Sequence, residues 1–298
     1  MYDMETKRLN ILVTGGNGQL GMCLRDESRR SPHRFIFSDV NDIPGLETLC
    51  LDITDRKALD LVADSENIDI IVNCAGYTNV EKAEDEISLA ELLNATAVGN
   101  LADTMARREG SLIHISTDFV FDGSASSPIP ECAEPAPLSV YGATKLAGEK
   151  AAVGCRSIIL RTAWLYSEYG RNFVKTMLSL TAEKPVIKVV ADQIGTPTYA
   201  RGLAALIVHI IDSGQIGKSG IYHYTDEGAA SWYDLASAVN RLAGHDCQVL
   251  PCRSEDYPAK ARRPHYSVLD KNLVKQTFGV SIPWWQDSLR ECMDKLSK

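Results

Sequence analysis

No apolar run in this chain approaches the roughly 18 residues that a membrane-spanning helix requires. The polar start from Met1 to Arg8 has no apolar core behind it, so no signal peptide is expected. Positive charge is in deficit: 31 Lys plus Arg stand against 39 Asp plus Glu, a net charge of −8. That argues against a non-specific grip on nucleic acid or on an anionic membrane. It still allows a local site for a small anionic ligand. None of the eight cysteines forms a Cys-x-x-Cys pair, and no His follows Cys247 and Cys252 at finger spacing. They read as reduced thiols of a cytoplasmic protein, with no structural zinc. Repeats, coiled-coil heptads and low-complexity tracts are missing too. What is present is 298 residues, 45% hydrophobic and 23% charged. This is the balance of a soluble globular chain with one large domain or two moderate ones.

Short β-branched runs mark the strands. Asn10–Thr14, Phe35–Asp39, Leu49–Ile53, Ile68–Cys74, Leu112–Thr117 and Ser157–Arg161 each read as one. Helical patterns lie between them over 19–28, 55–64 and 84–109, and another starts near Ser139 after a loop with four prolines. Strands alternating with helices predict α/β architecture: a Rossmann-type, doubly wound parallel sheet. Beyond residue 165 the rhythm is less regular. Helices are expected over 172–181 and 201–211, strands over 187–190 and 221–224, and Ser231-x-x-Asp234 has the form of a capping box. The expectation is a dinucleotide-binding domain with the catalytic residues over 1–165. Residues 166–298 form a smaller, mixed α/β, mainly substrate-binding part with segments that return to the first.

The first strand runs into Gly15-Gly16-Asn17-Gly18-Gln19-Leu20-Gly21. A glycine pattern between a strand and a helix, with an acid ending the next strand, is the context that dinucleotide binding requires. Gly15 permits the turn, Gly18 admits a pyrophosphate, and Gly21 allows close packing. The helix start, with Asn17, Gln19 and Leu20, offers amides and a partial positive charge. No Lys-Ser or Lys-Thr follows, so this is not an ATP loop. Asp39 suits the ribose 2′-hydroxyl and disfavours the 2′-phosphate of NADPH. Asp52 and Ile53 could hold adenine by an edge and a face, with a helix cap as the competing reading for Asp52. Cys74, Ala75, Gly76 and Tyr77 end the fourth strand, where small residues let a cofactor cross the carboxyl ends of the strands.

Tyr141 and Lys145 are four apart, on one face of the expected helix. A lysine ammonium lowers a neighbouring phenol's pKa, and the phenol can donate a proton to a carbonyl receiving hydride. Thr117 lies 24 residues before Tyr141, at a strand's carboxyl end, where its hydroxyl could polarise the same carbonyl. His114, inside that strand, reads as a core residue.

These elements together resemble the extended short-chain dehydrogenase/reductase family, and within it the group of dTDP-4-dehydrorhamnose reductases. The matching stretches run in order through nearly the whole chain. They include the glycine loop, Val72 to Glu84, Leu93 to Thr96, Ser116 to Phe121, Tyr141 to Glu149, Arg161 to Tyr166 and Asn172 to Met177. Asp192-Gln193-Ile194-Gly195-Thr196-Pro197-Thr198 and Ala261-Arg262-Arg263-Pro264 complete the set. The resemblance implies reduction of the 4-keto group of dTDP-4-dehydro-L-rhamnose by NADH or NADPH, giving dTDP-L-rhamnose. It makes Tyr141 the general acid, Lys145 the holder of the nicotinamide ribose, and Thr117 the orienter of the keto oxygen. It places Thr78, Val80, Asn94, Asp118, Trp164 and Asn172 around the sugar and Arg263 near the diphosphate; an ion pair is the other reading of Arg263. It also implies a homodimer, and magnesium in some members, although the sequence contains no metal constellation. Two other functions share the fold. One is a different sugar-nucleotide ketoreductase or epimerase. The other is a non-catalytic NAD(P)-binding subunit resembling that of methionine adenosyltransferase.

Overall fold

The computed structural model describes residues 7–297. Its centre is a seven-stranded, wholly parallel sheet. The strands are β1 (Asn10–Thr14), β2 (Arg34–Asp39), β3 (Leu49–Cys50), β4 (Ile70–Asn73), β5 (Ser111–Thr117), β6 (Arg156–Thr162) and β7 (Gly220–His223). Across the sheet the order is β3-β2-β1-β4-β5-β6-β7. The order reverses between β1 and β4, which opens a crevice at their carboxyl ends. Ile11, Leu12, Val13, Ile71 and Val72 have no exposed surface, as strands covered on both faces require.

Helices Gln19–Glu27 and Ala200–Asp212 pack one face of the sheet. Arg56–Ser65 and Ala97–Arg107 pack the other. The chain therefore leaves the sheet after β6 and returns for helix Ala200–Asp212 and β7. Between and after these, helices Phe173–Glu183, Trp232–Ala243 and Trp285–Leu296 build a second core with the paired strands Val186–Val190 and Gln248–Cys252. The capping box at Ser231 and Asp234 opens its helix as expected.

One expectation needs correction. The third strand covers only Leu49–Cys50; Leu51 still donates to the Asp39 carbonyl, and the ladder ends there, before the Asp52 turn. The stretch 84–109, expected to be mostly helical, is helical without a break from Ile87 to Arg107, with a π-helical segment Leu92–Thr96 between Ile87–Glu91 and Ala97–Arg107. The π segment turns Asn94 inward, where it is fully buried.

Candidate active site

The glycine loop works as its geometry demands. Gly15 has φ of +66°, and a Cβ there would come 2.6 Å from the Ala75 nitrogen. Side chains rarely tolerate that region of backbone space. A Cβ at Gly21 would overlap the Gly15 carbonyl, so the helix can approach the strand only with glycine at this position. No side chain caps helix Gln19–Glu27. Its first-turn amides are left for an anion, with the helix dipole behind them. A diphosphate fits this cradle, and a dinucleotide fits the crevice beyond it.

Asp39 lines the crevice, and its two carboxylate oxygens accept from the Asn17 and Asn41 amides at 3.1 and 3.0 Å. Beside it, Arg25 stacks over Phe37 and donates to the Gly16 and Glu47 carbonyls and the Asn17 side chain. Asn17 joins this guanidinium to Asp39, since it accepts from one and donates to the other, and the nearby positive charge tempers the expected bias against a 2′-phosphate. It escaped the sequence reading because Arg25 lies inside the helix, 14 residues before Asp39.

The catalytic candidates converge. Ser139 caps helix Val140–Ala152 through the Gly142 amide, and the helix presents Tyr141, Lys145 and Glu149 on successive turns. Lys145 is buried and donates to the Ile115 carbonyl of β5. Burial lowers its ammonium to about 8, and Glu149 and Cys74 pull the other way. Thr117 ends β5, accepts from the Phe119 amide at 3.2 Å and donates to Asp118 at 3.1 Å. Burial pushes the Tyr141 phenol up to about 12; the hydrogen bond with Thr117 opposes this and the Asp118 charge adds to it. This corrects the expectation of a lysine-depressed tyrosine: desolvation dominates, and the phenol holds its proton. Asp118 is fully buried with one oxygen unpartnered, and burial raises it to about 6.

Beneath these groups lies a buried support. Glu149 accepts from Ser116 and, bidentately, from Arg161 at 2.8 and 2.7 Å. Asn73 accepts from Thr14 and the Ala75 amide and pairs with His114. His114 has no exposed surface, and burial drives its pKa well below the usual value, so it is the neutral core residue expected.

One cleft of about 1320 Å³ joins the glycine loop to the second core. Gly15, Gly18, Gln19, Leu20, Asp39, Asp52, Ile53, Cys74, Ala75 and Gly76 line it, as do Thr78, Val80, Asn94, Thr117, Asp118, Tyr141, Lys145, Trp164, Asn172 and Arg263. Three candidates are not on its wall. Asn17 points to the Asn41 carbonyl and Arg25. Gly21 serves packing. Tyr77 turns away to donate to Glu86 at 2.6 Å. Others on the wall have committed side chains. The Asn94 amide accepts from the Tyr77 nitrogen and donates to the Tyr77 carbonyl and to Thr144, so it holds the loop that ends β4. Asn172 caps helix Phe173–Glu183. Arg263 pairs with Glu81. Asp52 accepts from the Thr54 amide and hydroxyl.

The sequence reading missed the partner of Trp164. Its ring stacks on Trp232 with centroids 3.5 Å apart, over Gly195, where a Cβ would meet the indole at 2.8 Å. Trp164 adopts φ of +48° to reach it. Gln193 accepts from the Trp232 indole N–H at 3.1 Å. The Gln193-x-Gly195 spacing thus builds the tryptophan wall, which only the fold reveals.

A parallel sheet with this cradle and a Thr, Tyr and Lys set at the carboxyl end of β5 defines a dinucleotide-dependent oxidoreductase of the short-chain dehydrogenase/reductase class. The family model described as the RmlD substrate binding domain matches residues 9–298. The dTDP-4-dehydrorhamnose reductase of Aggregatibacter actinomycetemcomitans is 38% identical over 94% of this chain and 97% of its own. A probable dTDP-4,6-dihydroxy-2-methyloxan-3-one 4-ketoreductase of Streptomyces antibioticus is 40% identical over 94% of this chain and 93% of its own. The crystal structure of the Bacillus anthracis dTDP-4-dehydrorhamnose reductase in complex with NADP is 35% identical and superimposes with a TM-score of 0.89, covering 97% of this chain and all of that one. The chain belongs to the dTDP-4-dehydrorhamnose reductase family.

Proposed function

We propose that the chain reduces the 4-keto group of dTDP-4-dehydro-L-rhamnose to give dTDP-L-rhamnose, with NADH or NADPH as reductant. The observation that carries this reading is the meeting of Thr117, Tyr141 and Lys145 in the cleft that also holds the glycine loop. The reduced nicotinamide, when bound, supplies hydride to C4. Tyr141 keeps its proton through the neutral range and donates it to the oxygen as charge develops there. Thr117, turned from Asp118 toward the keto oxygen, polarises that carbonyl. Lys145 spends one N–H on Ile115 and keeps two for ribose hydroxyls. Trp164, Thr78, Val80 and Asp118 shape the sugar pocket. Arg263 exchanges Glu81 for the diphosphate. Asn94 and Asn172 act by holding the wall.

Asp39 on the cleft wall, with the Arg25 guanidinium behind Asn17, supports use of both cofactors. Among the described residues there is no group of three or more His, Cys, Asp or Glu arranged for a metal, and no step is routed through magnesium. No described helix is long and apolar enough to cross a membrane. A homodimer acting in the cytoplasm belongs to the same proposal, and sedimentation equilibrium tests the dimer.

The Streptomyces relative supports a second reading, a 4-ketoreductase for a related dTDP-hexose. Product analysis separates the two: dTDP-L-rhamnose supports the first, and turnover of only another dTDP-ketohexose supports the second. A purely regulatory subunit needs no proton donor beside a carbonyl site. Cofactor binding without turnover of any keto sugar nucleotide would favour it.

A further inference from the structure

The segment Ser167–Asn172 leaves the sheet and starts the helix that walls the second half of the cleft. It is tied along the whole length of the dinucleotide helix Gln19–Glu27. At the far end of that helix, Tyr169 donates to Asp26 at 2.6 Å. There Arg201 also bridges Asp26, Glu27 and Glu168 at 3.0, 2.6 and 2.7 Å. At the near end there is one tie, Gln19. Its Oε1 accepts from Asn172 Nδ2 at 2.9 Å and from the Ser167 hydroxyl at 3.2 Å. Gly170, at φ of +61°, turns the segment over this side chain, and a Cβ there would come 3.1 Å from Gln19 Cγ.

The two ends differ in kind. The charged end lies about two turns from the glycine loop. The Gln19 end sits on the first turn, whose amides face the diphosphate cradle. Asn172 in turn caps helix Phe173–Glu183 through the Lys175 amide at 3.0 Å. Phe173, Met177 and Leu180 of that helix line the cleft, with Arg171 just before it. One oxygen thus joins the turn that receives the cofactor to the cap of the wall that receives the sugar nucleotide.

We propose that Gln19 is a positioning residue whose side chain couples the two sites, so that dinucleotide and sugar nucleotide each tighten the other's binding. The proposal rests on the function proposed above. Fixing the first turn by a diphosphate fixes Oε1, and with it the Asn172 cap. Such coupling is reciprocal, and typical values are about fivefold or more.

The test uses full-length protein, NADP+ and dTDP as a substrate-end probe. Calorimetry gives the dTDP affinity with and without NADP+. Hydrogen exchange follows the amides of residues 171–180. In the wild type, NADP+ is expected to tighten dTDP at least about fivefold and to slow these amides. Gln19→Met keeps the length and loses the acceptor. Asn172→Ser keeps a capping oxygen and is too short to reach Gln19. Both are expected to bring the dTDP ratio, read at saturating NADP+, below about twofold and to remove the slowing of the 171–180 amides. An undiminished ratio in both variants overturns the coupling. So does wild-type protein that binds NADP+ with no response at 171–180, and that result leaves the proposed function standing. Failure of the wild type to bind NADP+ or NAD+ overturns both.

Discussion

Tyr141 gives the sharpest handle at the residue scale. In the proposed mechanism, removing its hydroxyl removes the proton donor and leaves the cradle intact. Tyr141→Phe is expected to lower kcat by about 10²–10⁴, with cofactor affinity within about twofold by fluorescence titration. Wild-type turnover in this variant would contradict the general-acid role. The pH dependence follows from Lys145. Burial lowers its ammonium to about 8, so it is charged below that value and loses its charge as pH rises through it. The rate is expected to fall on an alkaline limb near pH 8, while the phenol, at about 12, stays protonated throughout. A flat profile to pH 10 would contradict this assignment. Legibility at this scale is uneven. The Thr117, Tyr141 and Lys145 set is local in pattern: a strand end and one helix face. The Trp164–Trp232 stack joins residues 68 apart through a positive-φ turn, and no periodicity announces it.

At the scale of elements, helix Val140–Ala152 positions the chemistry and is itself held from two sides. A methyl group at Gly148 would overlap the Asn94 carbonyl in the π segment, so this helix packs there only without a side chain. Gly148→Ala is expected to cost about 1–3 kcal/mol, read as a lower urea midpoint. An unchanged midpoint would show that the helices can part at no cost. Glu149, next on the face that carries Tyr141 and Lys145, is 3% exposed and holds Arg161, which is 2% exposed. Glu149→Ala leaves a guanidinium buried without its carboxylate, and about 3–5 kcal/mol of stability is expected to go with it. A loss below about 1 kcal/mol would mean that Arg161 finds water or another partner. The main strands were legible because fully buried parallel strands are apolar throughout. The two-residue pairings, such as Leu165–Tyr166 with Thr198–Tyr199, were not, since two residues carry no period. The π segment was not either: its cause is the fit of Asn94 to the Tyr77 loop, a contact across 17 residues.

The whole molecule is a sheet that binds the dinucleotide and a second core that closes the cleft over it. The chain crosses between the two more than once, with β7 returning to the sheet edge beside β6. The sequence leads to the expectation of segments that return and of a strand over 221–224, but the place of that strand at the sheet edge beside β6 is seen only in the fold. Turnover of the sugar nucleotide decides whether this chain carries out the reduction. Purified protein is mixed with dTDP-4-dehydro-L-rhamnose, oxidation of NADH and NADPH is followed in parallel, and the sugar product is identified. The expected result is one cofactor oxidised per sugar reduced, with dTDP-L-rhamnose as product. Cofactor binding without oxidation, or a product of the opposite configuration at C4, would contradict it.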